Sequence, residues 1–542
     1  MFSLEKRLIN LYRIFIIIFL IIILRTFWIQ LVKGPEYKEK AESQRYYEIS
    51  TSYNGTIYDR NMIPLTNRES QKYLYIPRYN LISDENYYNE LLEKIDYSEE
   101  KLKKYMEIEK DRIIKVPIKE NIDDVNIKNT FVLEELKEYN DENILAHVIG
   151  YINENGDGIG IKKAYNEILS KGENNKLLLT FDGKNRILYD KENYIQANKN
   201  KDNIRNSIQL TIDYEIQKIV ESAMESRQYY GSAIVTDVES GDILALTSQP
   251  DFDLNDIASS NRSNDNAQMN RSIKFRYYPA SIFKTIVLLS ALENDIDLDE
   301  KMICEGSIEV NNQKYSCHDD IVHGEITLKE AYAESCNTIF IQLAEKLGGE
   351  KIIETAKNIG LDDIVDIGLD GEVTGIISSL NEVRGAGIGN LAIGQEHIRL
   401  TPIQINNMTM IIANDGIRKD LSIIKGYATN KGKESKKFNR KEDKWLINSK
   451  YTQIIKKYME EVVKNGTGSE YIGGNIYGGA AGKTGTAEKE NGSNDGLFTG
   501  YFPINNPKYA ITIVVEDIGD KSGASTAGVV FNEILEEINK LK

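Results

Sequence analysis

Pro279-Ala280-Ser281-Ile282-Phe283-Lys284-Thr285-Ile286-Val287-Leu288-Leu289-Ser290-Ala291-Leu292 is the stretch on which the reading turns. It is apolar nearly all round, and a helix of that kind is buried. Pro279 suits its first turn. Ser281 and Lys284 stand three apart and share a face. A lysine near the start of a buried helix is desolvated, so its pKa falls. A neutral amine beside a serine hydroxyl is a general base beside a nucleophile. The chain has four histidines; none lies near in sequence, and Lys284 makes one unnecessary. Taken alone, Ser-x-x-Lys recurs by chance roughly once or twice in a chain this long, and a helix cap plus a surface lysine explains it as well.

Two further elements lie downstream. Ser335-Cys336-Asn337 can project a hydroxyl and a carboxamide to one side of a loop, although Ser and Asn are ordinary turn residues. Lys483-Thr484-Gly485-Thr486 follows Gly478-Gly479-Ala480-Ala481-Gly482. Small residues ahead of a cation and hydroxyls describe a strand edge that another backbone can approach, and a peptide can add there as an extra strand. The cation and hydroxyls suit a ligand carboxylate; the plain alternative is a Gly-rich turn.

Composition bounds the rest. The chain has 542 residues, 67 lysines and arginines against 83 aspartates and glutamates, and a net charge of −16. That length allows two to four domains with a large core, and the acidic balance argues against a general nucleic-acid binder. Three cysteines exclude a disulfide scaffold.

Ile14 to Leu24 is unbroken apolar sequence, continued loosely through Phe27, Trp28, Ile29, Leu31 and Val32. A spanning helix needs about 20 apolar residues, so Arg13 and Arg25 must snorkel to the interfaces, with Trp28 at headgroup level. A cleaved signal peptide is the alternative, but no small-x-small site follows Leu24. Residues 11–32 are therefore expected to be an uncleaved single-pass anchor behind a cytoplasmic tail of residues 1–10. Lys6, Arg7 and Arg13 favour an inside N-terminus, leaving about 510 residues outside the cell.

Residues 33–205 read as a mixed pedestal, with helices expected in Tyr87 to Lys110 and a linker at Lys191 to Asn206. From residue 206 the texture changes. Ser207 to Ile212 alternates like a strand, and Tyr214 to Ser226 is helical. Gly231 to Asp237 and Asp242 to Gln249 read as strands joined by the turn Glu239-Ser240-Gly241. Gly478 to Glu488, Leu497 to Phe502 and Tyr509 to Val515 read as three more, before a helix from Ala527 to Leu541. Strands at both ends with helices between predict an α+β domain, one antiparallel sheet flanked by helices. Lys431 to Lys444 is a mostly basic run best read as a solvated loop.

Taken together, the three motifs have an order and spacing, 54 and then 148 residues, that resemble those of the penicillin-binding proteins, specifically the membrane-anchored monofunctional D,D-transpeptidases of class B. Further matches are Leu210-Thr211-Ile212-Asp213 with Gln217, Ser240-Gly241-Asp242-Ile243-Leu244-Ala245, and Ile393-Gly394-Gln395 leading to Thr401-Pro402-Ile403-Gln404. The likeness is strong from Ser207 onward and looser before it, where Gly55 to Asn61 resembles the family's post-membrane motif. Asn54 stands where that motif usually has Arg, Met62 where it has Gly, and Ala280 where Gly usually precedes the nucleophile.

The resemblance implies a serine β-lactamase-like transpeptidase domain over 206–542, above a pedestal or dimerisation module. It implies that Ser281 attacks a D-Ala-D-Ala stem peptide and Lys284 takes its proton. Ser335 would pass a proton to the leaving amine, tuned by Lys483. Asn337 would hold the donor backbone, and Thr484 and Thr486, flanking Gly485, would bind the carboxylate. The backbone N–H groups of Ser281 and Thr486 would form the oxyanion hole. Peptidoglycan stem peptides, β-lactams, a membrane glycan polymerase and division or sporulation proteins are the implied partners; no organic cofactor or nucleic acid is.

Cys304, Cys317, His318, Asp319, Asp320 and His323 lie between the first two motifs and are ligand types that suit zinc. Sporulation-type members carry a similar Cys…Cys…His-Gly pattern. By that likeness Cys304, Cys317 and His323 would hold one structural zinc, with Asp320 as fourth ligand and His318 or Asp319 as alternatives. A Cys304–Cys317 disulfide or two plain thiols are the other readings. Cys336 reads as a buried thiol, and His147 and His397 as structural.

Three rival functions share part of this pattern. A β-lactamase would not need the anchor and large N-terminal module. A β-lactam sensor or division scaffold would need a longer cytoplasmic region or no chemistry. A bifunctional glycosyltransferase would need a module that Gly34 to Arg205 does not resemble.

Overall fold

The computed structural model describes residues 2–541 apart from 84, 109–111, 120, 121, 123–126, 128, 129, 154, 172, 181–194, 197–205, 258–265, 299, 397, 430 and 474–477. His397 and most of the expected linker lie outside the described residues. The chain divides into two units: Met1–Tyr53, Glu69–Lys137 and Gly172–Asp202 form the first, and Asn54–Arg68, Glu138–Lys171 and Asn203–Lys542 the second.

In the first unit, helix α1 (Phe2–Trp28) passes through a π-turn (Ile29–Lys33) into a helix over Gly34–Arg45. Its apolar side chains stand bare; Phe15 and Phe19 are each 64% exposed. Among the described residues this is the one helix long and apolar enough to cross a membrane, over Leu4–Lys40. The helical spacing read in Tyr87 to Lys110 resolves into two helices, Glu85–Lys94 and Glu99–Ile108. Their apolar faces bury Leu91, Ile95 and Leu102 against Leu74, Ile76, Ile114 and Val116. The last four come from a three-stranded sheet ordered Ile113–Pro117, Thr66–Pro77, Phe131–Tyr139.

Two segments expected in the pedestal belong to the second unit. Ile57 and Tyr58 pair in parallel with Ile208 and Gln209. At Gly55 a Cβ would lie 1.5 Å from Asn206 O, so only glycine permits that approach. The Asp59 carboxylate accepts N–H bonds from Asn61 (2.8 Å), Ile63 (2.7 Å) and Tyr214 (3.3 Å), tying the segment to the start of α2 (Tyr214–Glu225). His147 is buried in this unit with Nε2 2.5 Å from Ala267 O and its ring against Phe252. Burial holds its pKa down at about 4, which suits the structural role expected of it.

The centre of the second unit is a five-stranded antiparallel sheet. Its strands are β1 (Gly231–Asp237), β2 (Ile243–Gln249), β3 (Ala481–Glu488), β4 (Asn494–Phe502) and β5 (Tyr509–Val515), in the order β2-β1-β5-β4-β3. All five were legible as strands, and Gly241, with φ +75°, makes the expected turn between β1 and β2. Residues 207–210 instead pair in a second sheet, with Ile424–Ala428. Part of the basic run pairs there too: Glu434–Lys437 is a strand on Ile424–Ala428. Its Arg440 is held by Asp242 at 2.6 Å and its Lys441 by Asp366 at 2.6 Å.

Helices cover both faces of the sheet. On one, α2 contributes Val220 and Met224, and the last helix, Val529–Lys540, contributes Phe531, Ile534, Leu535 and Ile538, packed on Val235, Leu244, Phe498, Ile511 and Ile513. Each such side chain stabilises by about 1.5–3 kcal/mol. Gln217, fully buried, donates to Leu246 O and Thr247 Oγ1 and accepts the Leu246 N–H, so α2 satisfies the edge strand β2. On the other face lie α3 (Lys284–Glu293), α4 (Leu328–Ala333), α5 (Asn337–Leu347), α6 (Pro402–Ala413) and α7 (Ser449–Lys464). α6 starts at a Thr401/Gln404 capping box with Pro402 in its first turn and is buried along its whole length. Its internal Asn406 is paired with Thr236, Ala510 and Thr512.

Candidate active site and metal cluster

Ser281 sits in a 3₁₀ turn, Ala280–Phe283, that runs into α3 at Lys284. At three residues per turn, positions i and i+3 eclipse, so Ser281 and Lys284 lie on one side, as their spacing requires. The backbone is strained just ahead of the serine: Ala280 has φ +48°, which costs about 1–2 kcal/mol without a glycine. Its N–H is held by Gly394 O at 2.9 Å. A Cβ on Gly394 would fall 2.2 Å from Ala280 O, so Gly394 is what lets the turn be held from that side. Paired bonds of 2.8 Å between Tyr277 and Leu400 fix the entry to the turn. Across the site, the Cβ position of Gly485 lies 3.2 Å from Pro279 O, so the serine turn abuts β3.

Lys284 is fully buried. Its Nζ donates to Ser335 O (2.6 Å), Asn337 Oδ1 (2.7 Å) and Ser335 Oγ (3.4 Å). Burial pulls its pKa down to about 8, opposed by the nearby Cys336 and Cys317 thiols. Lys483, on the edge strand β3, is also fully buried, and its Nζ donates to Ser335 Oγ at 3.0 Å and Thr484 O at 3.3 Å. Burial and the neighbouring Lys284 charge hold it well below the ordinary lysine range, with Glu334 opposing. The Ser335 hydroxyl is thus the meeting point of both lysines.

The Ser335 loop is built by a helix stop. Ser335 N–H bonds Tyr332 O (3.2 Å) and Cys336 N–H bonds Ala331 O (2.8 Å), the pattern of a Schellman motif at the end of α4. Ser335 therefore occupies the left-handed position, φ +58°, normally given to glycine. Two strained non-glycine residues in one site are the kind of backbone cost that clusters where chemistry is done. Asn337 opens α5 and turns its other amide atom outward, Nδ2 donating to Ser316 O at 2.9 Å. Of the carboxylate candidates, Thr484 Oγ1 lies 2.7 Å from Thr467 Oγ1, and Thr486 Oγ1 accepts the Gly523 N–H at 3.0 Å.

Cys304, Cys317, His323 and Cys336 place their ligand atoms within 4.8 Å of one another. Cys304 ends a short strand paired with Gly324–Ile326, beside the hairpin Ser307–Val310/Gln313–Ser316. Cys304 Sγ lies 3.7 Å from Cys317 Sγ and 3.3 Å from His323 Nδ1, and Cys317 Sγ lies 3.7 Å from Cys336 Sγ. A tetrahedron with metal–sulfur bonds near 2.3 Å has edges of about 3.8 Å, so the donor set fits a closed four-coordinate ion. The same 3.7 Å is far beyond a disulfide bond, and all three thiols are free. The Cys317 thiol is pulled down to about 4, chiefly by its hydrogen bond with Cys336, whose own thiol that bond and burial push up.

The fourth corner differs from expectation. Asp320 is exposed and outside the cluster, as are His318 and Asp319. Cys336 takes the place because the turn after α4 carries it under the hairpin, where Asn337 bonds Ser316, next to Cys317. A sequence reading that assigns Ser335 and Asn337 to catalysis passes over the cysteine between them.

The chain matches the family model of the penicillin binding protein transpeptidase domain over residues 231–536. Stage V sporulation protein D of Bacillus subtilis (strain 168) is 28% identical over 99% of this chain and 86% of its own length. The peptidoglycan D,D-transpeptidase FtsI of Buchnera aphidicola subsp. Baizongia pistaciae is 26% identical over 78% of this chain and 73% of its own. The fold is that of penicillin-binding protein PBP2 from Helicobacter pylori, solved in complex with MreC, at TM-score 0.67, 24% identity, 92% of this chain and 99% of that one. The chain belongs to the penicillin-binding protein transpeptidase family, as a class B member.

Proposed function

We propose that this chain is a peptidoglycan D,D-transpeptidase of septal or spore cell-wall synthesis that works through a serine acyl-enzyme. The observation that carries this is the Ser335 hydroxyl, held between two fully buried lysines beside the Ser281 turn. Ser281 Oγ attacks the penultimate D-Ala carbonyl of a stem peptide, and neutral Lys284 takes its proton. Asn337 holds the donor peptide. The backbone N–H groups of Ser281 and Thr486 receive the oxyanion, each contributing about 3–4 kcal/mol. Ser335, polarised by Lys483, passes a proton to the leaving D-Ala amine, while Thr484 and Thr486 bind its carboxylate. The amine of a second stem peptide then attacks the ester, regenerating Ser281 and forming the cross-link. β-Lactams acylate the same serine. The apolar helix over Leu4–Lys40 supports a single-pass anchor with the catalytic unit outside the cell, where a membrane glycan polymerase and division or sporulation proteins are the partners.

The test is D-Ala release and cross-linked product from stem pentapeptide plus an amine acceptor, using the detergent-solubilised full chain. Lys284 must be neutral to accept a proton, and its pKa is depressed to about 8. The rate is therefore expected to rise with pH up to about 8 and to fall about tenfold per unit below it. Product formation flat from pH 6 to 8 contradicts Lys284 as base, and rapid β-lactam turnover instead of a stable adduct reassigns the chain to the β-lactamases.

The same reading includes one structural zinc on Cys304, Cys317, His323 and Cys336, bracing the Ser335 loop; bound there it supplies cross-linking, not chemistry on the substrate. Metal analysis is expected to give close to one zinc per chain, unchanged in Asp320→Ala and lowered in Cys336→Ser. Less than about a tenth of a zinc per chain removes the site.

A further inference from the structure

Lys483 is buried without a counter-ion: among the described residues no carboxylate lies within ion-pair distance of its Nζ, and its two polar partners, Ser335 Oγ and Thr484 O, are neutral. A buried ammonium with neutral partners only is unstable unless something else favours the charge. Beside these stands the ring of Tyr332, whose centroid is 5.5 Å from Nζ. The face of an aromatic ring attracts a cation at this distance, most strongly when both are dry. Tyr332 is itself fully buried and its ring is pinned. Its hydroxyl is 2.9 Å from Thr285 Oγ1, and Tyr458 and Phe340 pack on it at 5.9 and 6.1 Å. Its backbone carbonyl also takes the Ser335 N–H of the helix stop.

Resting on the transpeptidase reading above, we propose that Tyr332 is a positioning residue for the reaction: its ring face holds Lys483 as a cation under the Ser335 hydroxyl, so that Ser335 can deliver a proton to the leaving amine. The titratable and charged groups that face Lys483 are Lys284 from α3, which repels, and Glu334 and the Tyr332 phenol from the end of α4; α7, packed along β3, turns Tyr458 toward the Tyr332 ring. Lys284 works against the charge and Glu334 is exposed, which leaves the ring as the dry contribution on the favourable side. The phenol does not compete as an anion, because burial raises its pKa above the ordinary tyrosine value.

The sign of the effect follows. An aromatic face stabilises the protonated form, so removing it makes Lys483 lose its proton at lower pH. The proposal requires that Lys483 keep its proton once Lys284 is neutral and no longer repels it, so that in a pH profile of acylation Lys284 sets the acid limb and Lys483 the alkaline limb. The experiment is the second-order rate of labelling by a fluorescent penicillin, from pH 6 to 10, on the detergent-solubilised full chain. Tyr332→Leu is expected to move the alkaline limb down by about one pH unit, a tenfold change in the protonation equilibrium, and to leave the acid limb in place. Tyr332→Phe, which keeps the ring and loses the bond to Thr285, is expected to leave both limbs in place. Tyr332→Met carries the same expectation as Leu and serves if the leucine variant does not fold. An alkaline limb that stays put in Leu and Met, with only the height of the profile reduced, overturns the proposal. So does a limb that moves equally in Phe. Peptide mapping of the same samples separates this from the underlying reading: an adduct away from Ser281 overturns both, whereas an adduct on Ser281 with an unmoved limb overturns only the role of Tyr332.

Discussion

Ser281→Ala is expected to abolish covalent labelling of the full chain by a fluorescent penicillin. The argument is local. The 3₁₀ turn places Ser281 on the same side as Lys284, three residues on, and against the strand that carries Lys483. The hydroxyl that contacts both lysines, Ser335 Oγ, is already committed as acceptor to Lys483 at 3.0 Å and sits in a helix-stop turn. Ser281 is half-buried beside the strained Ala280, so melting of the variant must be followed beside its labelling. Loss of labelling in a variant with unchanged melting would therefore report chemistry and not folding. Undiminished labelling rejects Ser281 as the nucleophile.

Lys284→Met is expected to slow acylation by about 10²–10⁴-fold, the usual contribution of a positioned general base. Methionine fills most of the same volume in a site that is fully buried. It leaves Ser335 O and Asn337 Oδ1 without their donor, at a cost of about 1–3 kcal/mol each. Melting of the variant must be followed beside its rate for that reason. The diagnostic feature is the pH profile: without a titrating amine the acid limb near pH 8 should vanish, whereas a merely destabilised enzyme would keep it. An acylation rate equal to that of the parent chain excludes Lys284 as base.

What could be read in advance was what local sequence encodes. The first two strands of the central sheet are marked by the Glu239-Ser240-Gly241 turn between them, and α3 by apolar residues on every side. The shared side of Ser281 and Lys284 needs only three-residue spacing. What could not be read depends on contacts between distant parts of the chain. Ile57 pairs with Ile208 across a gap that no local pattern spans, so Asn54–Arg68 joined the second unit against the expected boundary near 205. Cys336 reaches Cys317 only because the turn at Ser335 folds it under a hairpin, and Asp320, closer in sequence to His323, points to solvent. Ser335 itself occupies a left-handed position that sequence rules reserve for glycine; strain of that kind is invisible until the backbone is seen. Ala280 is the milder case: at φ +48° it too takes a backbone conformation that favours glycine.

The most direct test of the account is mass spectrometry of the full chain after exposure to penicillin, followed by peptide mapping. One adduct per chain on the peptide containing Ser281, formed faster as the pH approaches 8, is the expected result. An adduct on Ser335, on a cysteine of the cluster, or on no residue at all would contradict it.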